Sequence, residues 1–121
     1  MSAKTIYVRD IAFGADHPIS FITGPCQLES RDHAMMMADN LSELFTKIGA
    51  RFIFKSSYDK ANRSSISSAR GIGMEEGLRI LQDISKSFGC PVITDVHEAS
   101  HCAIAAEAVD ILQIPAFLSR Q

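Results

Sequence analysis

The chain has 121 residues, of which 46% are hydrophobic and 21% are charged, and its formal net charge is -2. These values are typical of one soluble globular domain and argue against general nucleic-acid binding, which needs a basic face. No apolar run approaches the ~18 residues of a membrane span, and the three cysteines lack the spacing of a disulfide framework. We therefore expect a cytoplasmic protein with reduced cysteines that binds neither nucleic acid nor membranes.

Strands and helices alternate along the chain after residues 1–17, which we expect to form a short N-terminal β extension. Short β-rich segments that end in polar or turn residues predict strands, and apolar residues at helical spacing predict helices. The predicted strands are residues 19–23, 51–56, 91–96 and 109–114. The predicted helices are residues 32–48, 74–88 and 100–108, and a long polar loop precedes the second of them.

Capping residues define the ends of the first two helices. Ser30 or Asp32 can cap the first helix, and Gly49 and Gly89 are the expected C-terminal stops. The first helix is predicted to bury one broad apolar face, formed by Met36, Met37, Leu41, Leu44, Phe45 and Ile48. The second helix is predicted to bury Leu78, Ile80, Leu81, Ile84 and Phe88.

Strands that alternate with helices indicate a parallel sheet with right-handed crossovers. Polar residues follow every predicted strand, as in the site of a (β/α) barrel, and these residues are Cys26, Gln27, Lys55, Asp95, His97 and Gln113. A doubly wound sheet usually carries a glycine-rich phosphate loop, and Gly71-Ile-Gly73 is a weak match to one. Because a whole barrel needs ~200–250 residues, we predict one α/β domain over residues 1–121 that covers about the first four β/α units of a TIM barrel.

The run from Lys55 to Ser65 contains three cations and several hydroxyl and amide donors directly after a predicted strand. Lysine supplies a point charge and arginine a planar fork, so this pattern favours a site for more than one anionic group. Lys55 and Lys60 could neutralise a carboxylate and a phosphate of one substrate, and Arg63 with Ser64 could hold a second phosphate. A solvated basic loop is the alternative interpretation.

Two further residues lie at the end of the third predicted strand. Asp95 and His97 alternate there, so both are expected to face the same side. Asp95 could bind sugar hydroxyls or balance a lysine, and His97 could be a metal ligand, an acid/base or a hydrogen-bond partner.

The segment from His97 to His101 matches the H-E-x-x-H motif of zinc proteases. That motif requires a helix, in which histidines four apart share a face. His97 directly follows a predicted strand and Ser100 suits a helix cap, so we interpret the match as accidental and His101 as a surface helix residue.

Cys26 follows Gly24-Pro25 at a strand end, where a thiolate could bind a soft or borderline divalent metal or act as a nucleophile. A buried structural cysteine is the alternative at this position. Cys90 and Cys102 are expected to be packing residues.

Five motifs in order give the chain a specific resemblance to one family. The chain resembles the N-terminal part of the 3-deoxy-D-manno-octulosonate 8-phosphate synthases, also called 2-dehydro-3-deoxyphosphooctonate aldolases. The motifs are Gly-Pro-Cys26-Gln-Leu-Glu29-Ser, Phe54-Lys-Ser-Ser-Tyr-Asp-Lys-Ala-Asn-Arg-Ser-Ser65, Gly73-Met-Glu-Glu-Gly77-Leu, Thr94-Asp-Val-His-Glu98 and Leu112-Gln-Ile-Pro-Ala-Phe-Leu-Ser-Arg-Gln121. The resemblance implies a cytoplasmic homotetramer of TIM barrels. It also implies condensation of phosphoenolpyruvate with arabinose 5-phosphate and water in lipopolysaccharide biosynthesis.

The resemblance also implies roles for individual residues. Lys55, Lys60 and Gln113 would contact phosphoenolpyruvate, while Arg120 would reach the site across a subunit interface. Asp95 would bind sugar hydroxyls. The implied substrate-binding residues are Lys55, Ser57, Lys60, Asn62, Arg63, Ser64, Asp95, Gln113 and Arg120, of which Asn62, Arg63 and Ser64 would hold the sugar phosphate. The implied catalytic residues are Lys60, Asp95 and His97, the last close to the reacting centre.

Cys26 assigns the chain, by the same resemblance, to the metal-dependent subclass, in which the cofactor is a divalent metal such as Fe, Mn, Zn or Co. The other metal ligands of such enzymes lie in the second half of the barrel, so the chain alone is expected to be inactive.

Three alternatives stay open. They are a 3-deoxy-D-arabino-heptulosonate 7-phosphate synthase, a non-catalytic half-barrel assembly module and a zinc protease. For the first of these, Lys-Pro-Arg-Thr-Ser is expected instead of Lys60-Ala-Asn-Arg-Ser-Ser65.

Overall fold

The computed structural model describes residues 4–59 and 72–120. The strands are β1 (Ile6–Val8), β2 (Ile11–Phe13), β3 (Ser20–Thr23), β4 (Arg51–Lys55), β5 (Val92–Asp95) and β6 (Ile111–Gln113). The helices are α1 (Arg31–Ile48), α2 (Met74–Phe88) and α3 (Cys102–Ala106), and one turn of 3-10 helix (Ala99–His101) precedes α3. Within these ranges no helix combines the length and the apolar character needed to cross a membrane.

The described strands form a parallel sheet in the order β3-β4-β5-β6 and a separate antiparallel hairpin of β1 and β2. Each of the four predicted strands is confirmed, and each strand end coincides with the predicted end or lies one or two residues inside it. The fold class is therefore α/β with a parallel sheet, as the alternation of strands and helices predicts. The strand order follows the chain, which differs from the reversal of order in a doubly wound sheet.

The ends of α1 and α2 are set by the residues that the sequence indicates. The Ser30 hydroxyl accepts a hydrogen bond from the His33 backbone N–H at 3.1 Å, so Ser30 is the cap of α1. Gly49 and Gly89 follow α1 and α2 with φ angles of 70° and 67°, the left-handed conformation that glycine adopts without strain. Both predicted C-terminal stops are confirmed.

The buried face of α1 differs from the predicted one. Ala34, Ala38 and Phe45 are its buried residues, whereas Met36, Leu44 and Ile48 are exposed. Phe45 stacks on Phe52 of β4 with ring centroids 4.9 Å apart, and Ala34 and Ala38 belong to the same core. The prediction is confirmed for Phe45, and Met37 and Leu41 pack partly buried against the core, but it was wrong for Met36, Leu44 and Ile48. In α2 the residues Leu78, Ile80, Leu81 and Ile84 are buried as predicted.

All three helices pack on one face of the sheet. Their buried side chains share a core with Phe52, Phe54 and Val92 of the strands. The opposite face is covered by the hairpin, and that second core consists of Ile11, Ile53 and Ile93 packed with Val8, Phe13 and Ile111. Helices on a single face and strands in chain order are the winding of a (β/α) barrel, because a doubly wound sheet has helices on both faces.

Arg9, in the turn of the hairpin, ties β1 and β2 to the far end of the described chain. Its guanidinium donates to both carboxylate oxygens of Asp110 at 2.8 and 3.1 Å and to the Ser85 hydroxyl at 2.6 Å. Asp110 in turn accepts a hydrogen bond from the Val92 backbone N–H at 2.9 Å. Arg9 holds a φ of 54°, which is uncommon for a residue other than glycine. The bidentate pair with Asp110 therefore stabilises a locally unfavourable backbone.

The third helix is shorter than the predicted residues 100–108. After Ala106 the chain turns, and the Val109 N–H still bonds to the Ala105 carbonyl at 3.0 Å. The Asp110 N–H bonds to the Val92 carbonyl at 2.9 Å, which draws the chain into the sheet. The helix consists mainly of small residues, and Ala105 is its only buried residue. Little burial of apolar surface is therefore available to stabilise a longer helix.

Candidate active site

The loops that follow β3 and β4 are joined by backbone hydrogen bonds beyond the ends of the strands. The Leu28 N–H donates to the Ser57 carbonyl at 2.9 Å, and the Ser57 N–H donates to the Cys26 carbonyl at 3.3 Å. The Ser56 hydroxyl donates to the Pro25 carbonyl at 2.7 Å. These bonds fix residues 25–28 and 56–57 at the carboxyl edge of the sheet.

Three adjacent strands each place one polar side chain at this edge. In β4, β5 and β6 the residue two positions after the isoleucine that faces the hairpin is polar. Since side chains alternate between the two faces of a strand, these polar residues share a face with the isoleucines. The residues are Lys55, Asp95 and Gln113. Lys55 and Gln113 are half-buried and Asp95 is buried.

Asp95 is the centre of the described cluster. It accepts a hydrogen bond from the Ser57 hydroxyl, and its second oxygen lies 2.8 Å from Nε2 of His97. The prediction that Asp95 and His97 face the same side is confirmed. Burial raises the pKa of Asp95, but the hydrogen bonds from Ser57 and His97 oppose that effect, and the pKa is lowered from its ordinary value of 3.8. The group is therefore a carboxylate at neutral pH.

The lowered pKa of Asp95 predicts how stability depends on pH. A carboxyl group with a depressed pKa stabilises the folded state above its unfolded pKa, and this contribution is lost as the pH falls through the folded pKa. We expect the free energy of unfolding to fall as the pH drops below 3.8, and Asp95→Asn to remove part of that dependence. Urea unfolding at several pH values measures the effect.

Asp10 supplies a matched control for this prediction. Its pKa is also lowered, chiefly by a hydrogen bond from Arg51, but the group is fully exposed to solvent. Water and salt screen such a pair, so Asp10→Asn should change the acid dependence less than Asp95→Asn. Equal changes in the two variants would contradict the assignment to Asp95.

Tyr58 is a residue of the site that sequence reasoning missed. Its side chain is 1% exposed, and its ring centroid lies 5.6 Å from that of His97 at an interplanar angle of 49°. Its hydroxyl lies 3.4 Å from Nδ1 of His101. Burial, with a smaller effect of the Asp95 charge, raises the pKa of Tyr58 to about 12. A large aromatic residue within a polar loop was the available signal.

The H-E-x-x-H segment does not form a zinc site. His97 and Glu98 lie in a bend before the 3-10 turn, so the two histidines do not share a helical face. His97 pairs with Asp95, and Nε2 of His101 lies 3.2 Å from a Glu98 oxygen. The interpretation of the match as accidental is supported. His101 is partly buried beside Tyr58, so its prediction as a surface helix residue was wrong.

The three cysteines differ in their surroundings. Cys26 is exposed in the bend after β3 and its thiol is accessible, which removes the alternative of a buried structural cysteine. Cys90 is buried in the core, and burial raises the pKa of its thiol. Cys102 is partly buried against the same core, so both are packing residues as predicted. In residues 4–59 and 72–120 no three histidine, cysteine or acidic side chains are grouped to hold a metal ion.

The structure brings Ser57, Asp95 and His97 into contact and places Lys55 and Gln113 on the same face. Arg120 is exposed in the final turn. The remaining predicted site residues lie outside the described residues, and they are Lys60, Asn62, Arg63 and Ser64.

A cluster of charged and polar side chains at the carboxyl edge of a singly wound parallel sheet is the arrangement of a barrel-type α/β enzyme. Comparison with known proteins agrees with that class. The sequence profile of the DAHP synthetase I family matches residues 2–121, and the chain belongs to this family, whose fold is of the TIM-barrel type.

Three similar proteins carry the same name. The chain is 56% identical over 119 residues to the 2-dehydro-3-deoxyphosphooctonate aldolase of Rhodopseudomonas palustris strain BisB5, with 98% of this chain and 42% of the relative covered. It is 54% identical over 116 residues to that of Bartonella quintana, and the match covers 96% of this chain and 42% of the relative. It is 50% identical over 118 residues to that of Rickettsia bellii, and the match covers 98% of this chain and 43% of the relative. The chain spans less than half the length of these relatives.

Proposed function

We propose that the chain is part of a transferase that condenses phosphoenolpyruvate with arabinose 5-phosphate and water, giving 3-deoxy-D-manno-octulosonate 8-phosphate and phosphate in lipopolysaccharide biosynthesis. The observation that carries this proposal is the polar cluster at the carboxyl edge of the sheet, in a chain whose relatives are named 2-dehydro-3-deoxyphosphooctonate aldolase. A cytoplasmic location and a homotetrameric assembly belong to the same proposal.

Asp95 has the chemistry to orient a sugar. As a carboxylate it accepts hydrogen bonds only, and each oxygen has two lone pairs. Ser57 and His97 each occupy one acceptor position, so further positions are available to sugar hydroxyls. The hydrogen bonds from Ser57 and His97 also fix the plane of the carboxylate. A sugar held there would present its aldehyde in a fixed orientation, which lowers the entropic cost of condensation.

The two substrates carry several anionic groups, so the site needs separate cations. We propose that Lys55, together with Lys60 and Gln113, binds phosphoenolpyruvate beside Asp95. Lys55 and Gln113 support this role because they share a face of the sheet with Asp95. The sugar phosphate is assigned to Asn62, Arg63 and Ser64, and Arg120 is assigned to a site shared between subunits. Fixed cations stabilise the negative charge of both phosphates without reorganisation of water.

The heptulosonate synthase reaction is the second candidate, because the family is described as DAHP synthetase I. The names of the relatives favour the octulosonate reaction. The sequence Lys60-Ala-Asn-Arg-Ser-Ser65, in place of Lys-Pro-Arg-Thr-Ser, supports the same choice. The sugar acceptor separates the two reactions: arabinose 5-phosphate for the first and erythrose 4-phosphate for the second.

We propose that the described sheet is the first four β/α units of an eight-stranded barrel. Strands β3 and β6 are the edges of the described sheet. Edge strands carry unpaired backbone groups that need another strand or a cover. The chain covers only 42–43% of these relatives, whose uncovered length is enough for the strands that close a barrel, so the chain alone is expected to have no turnover.

The experiment uses a chimera in which this chain replaces the matching segment of the Rhodopseudomonas palustris aldolase. Phosphate release is measured with phosphoenolpyruvate and each sugar phosphate in turn. We expect release with arabinose 5-phosphate only, and none from the 121-residue chain alone. Equal release with erythrose 4-phosphate would overturn the assignment, and the native relative serves as the control for chimera assembly.

Cys26 is proposed as one ligand of a divalent Fe, Mn, Zn or Co ion. Its exposed thiol at the carboxyl edge suits a borderline metal. The described residues do not complete a metal site by themselves, so the other ligands would come from the rest of the protein, and no chemical step is derived through the ion. When bound, such an ion would act as a Lewis acid.

Metal binding at Cys26 is tested by cobalt(II) absorption of the chimera. A sulfur-to-cobalt charge-transfer band is expected, because a thiolate ligand gives one. Cys26→Ser should abolish the band and Cys102→Ser, the matched control, should retain it. A band that survives Cys26→Ser would exclude this thiol as the ligand.

A further inference from the structure

Two carboxylate–histidine pairs lie on either side of one buried aromatic ring. His97 pairs with Asp95 at 2.8 Å, and His101 pairs with Glu98 at 3.2 Å. The ring of Tyr58 lies 5.6 Å from the ring of His97 and 6.5 Å from that of His101. The proposed function uses only the first of these pairs. The arrangement places Tyr58 directly beside the histidine that faces the site.

Tyr58 is itself held in place on two sides. A β-carbon on Gly77 would lie 2.5 Å from Cβ of Tyr58, so α2 packs directly on the tyrosine backbone at the one position without a side chain. On the other side the phenol contacts Nδ1 of His101 at 3.4 Å. The phenol can donate to Nδ1 when His101 carries its own proton on Nε2, which faces Glu98.

We propose that Tyr58 is a positioning residue that holds the imidazole of His97 against Asp95. Contact with the Tyr58 ring limits rotation of His97, so Nε2 remains the nitrogen that donates to Asp95. In the neutral ring Nδ1 is then the unprotonated nitrogen. Tyr58 acts through its ring, which the packing of α2 at Gly77 holds in place without need of the hydroxyl contact to His101. The inference rests on the proposed function, in which His97 lies beside the reacting groups.

The role of Tyr58 differs from that of an acid or base. The side chain is almost fully buried, and its raised pKa of about 12 keeps the phenol un-ionised at neutral pH. The inference therefore predicts different effects for loss of the hydroxyl and loss of the ring. Tyr58→Phe removes the first and keeps the second. Tyr58→Leu removes both and keeps an apolar side chain.

The test is nuclear magnetic resonance of the 121-residue chain with 15N-labelled histidine. In the wild type we expect His97 as a single Nε2–H tautomer, with nuclear Overhauser contacts between its ring protons and those of Tyr58. Tyr58→Phe should retain both signals, and Tyr58→Leu should give mixed tautomers of His97. His101→Gln is the control for the hydroxyl contact and should leave the His97 tautomer unchanged.

Mixed tautomers in the wild type, no contact between the two rings, or an unchanged single tautomer in Tyr58→Leu would each overturn the inference. The wild-type measurement does not depend on how well any variant folds. All spectra are recorded without substrate, so they test the positioning of His97 even if the chimera fails to release phosphate. A chimera without turnover and a His97 ring held as described would reject the proposed reaction alone.

Discussion

Replacing Gly24 by alanine is expected to lower the free energy of unfolding by about 3 kcal/mol, the upper end of the usual cost of overpacking. A β-carbon at this position would overlap the Lys55 carbonyl oxygen and lie 2.9 Å from the carbonyl carbon. The obstacle is backbone rather than the end of a flexible side chain, so relief requires β3 to move away from β4. That movement would also shift the loops that carry Cys26 and Ser57.

Urea unfolding of the chain measures the loss, and Gly49→Ala is the matched control. Gly49 has open space around its α-carbon but a φ of 70°, whereas Gly24 is not among the described glycines with positive φ. The control therefore reports the cost of backbone conformation alone, about 1 kcal/mol. If the two variants lose the same stability, the close approach of Gly24 to Lys55 is not the cause.

Asp95→Asn is expected to lower turnover of the chimera about 100-fold, because hydrogen bonds to a charged group contribute roughly 1.5–3 kcal/mol. The amide keeps the shape of the side chain but presents a donor where the carboxylate accepts from Ser57 or His97. The loss should appear in kcat as well as in the KM for arabinose 5-phosphate, since both the sugar and His97 lose their orientation.

Asp83→Asn is a suitable control for the loss of one carboxylate. Asp83 lies on α2 and pairs with Arg31 at 2.6 Å, and it belongs to no part of the cluster at the carboxyl edge. We expect its turnover to be close to that of the parent chimera. Turnover of Asp95→Asn at the parent level would remove Asp95 from the proposed mechanism.

The elements that the sequence predicts well are those with local signals. Ser30, Gly49 and Gly89 define helix ends through contacts within a few residues, and all three are found as expected. The pairing of Asp95 with His97 is also local, because it follows from alternation along one strand end. In each case the relevant neighbours lie close in sequence, so the pattern contains the information.

The features that the sequence does not reveal depend on residues far apart in the chain. Tyr58 meets His97 and His101 only because the residues directly after β4 lie beside those that follow β5. The buried face of α1 was only partly predicted, because Ala34 and Ala38 are small residues to which the apolar pattern gave no weight. The contact of Ser57 with Asp95 joins two neighbouring strands and has no signal in either segment alone.

The link between Arg9 and Asp110 has a consequence for the order in which the protein acquires its structure. The two residues are 101 positions apart, so a ribosome synthesises Arg9 well before its partner exists. At about 5–20 residues per second, that interval lasts on the order of 5–20 s. During this time the hairpin has neither the carboxylate nor the completed β6 against which it packs. We expect the hairpin, although it is made before β6, to be among the last elements to reach its final place, and exposed to chaperones until then.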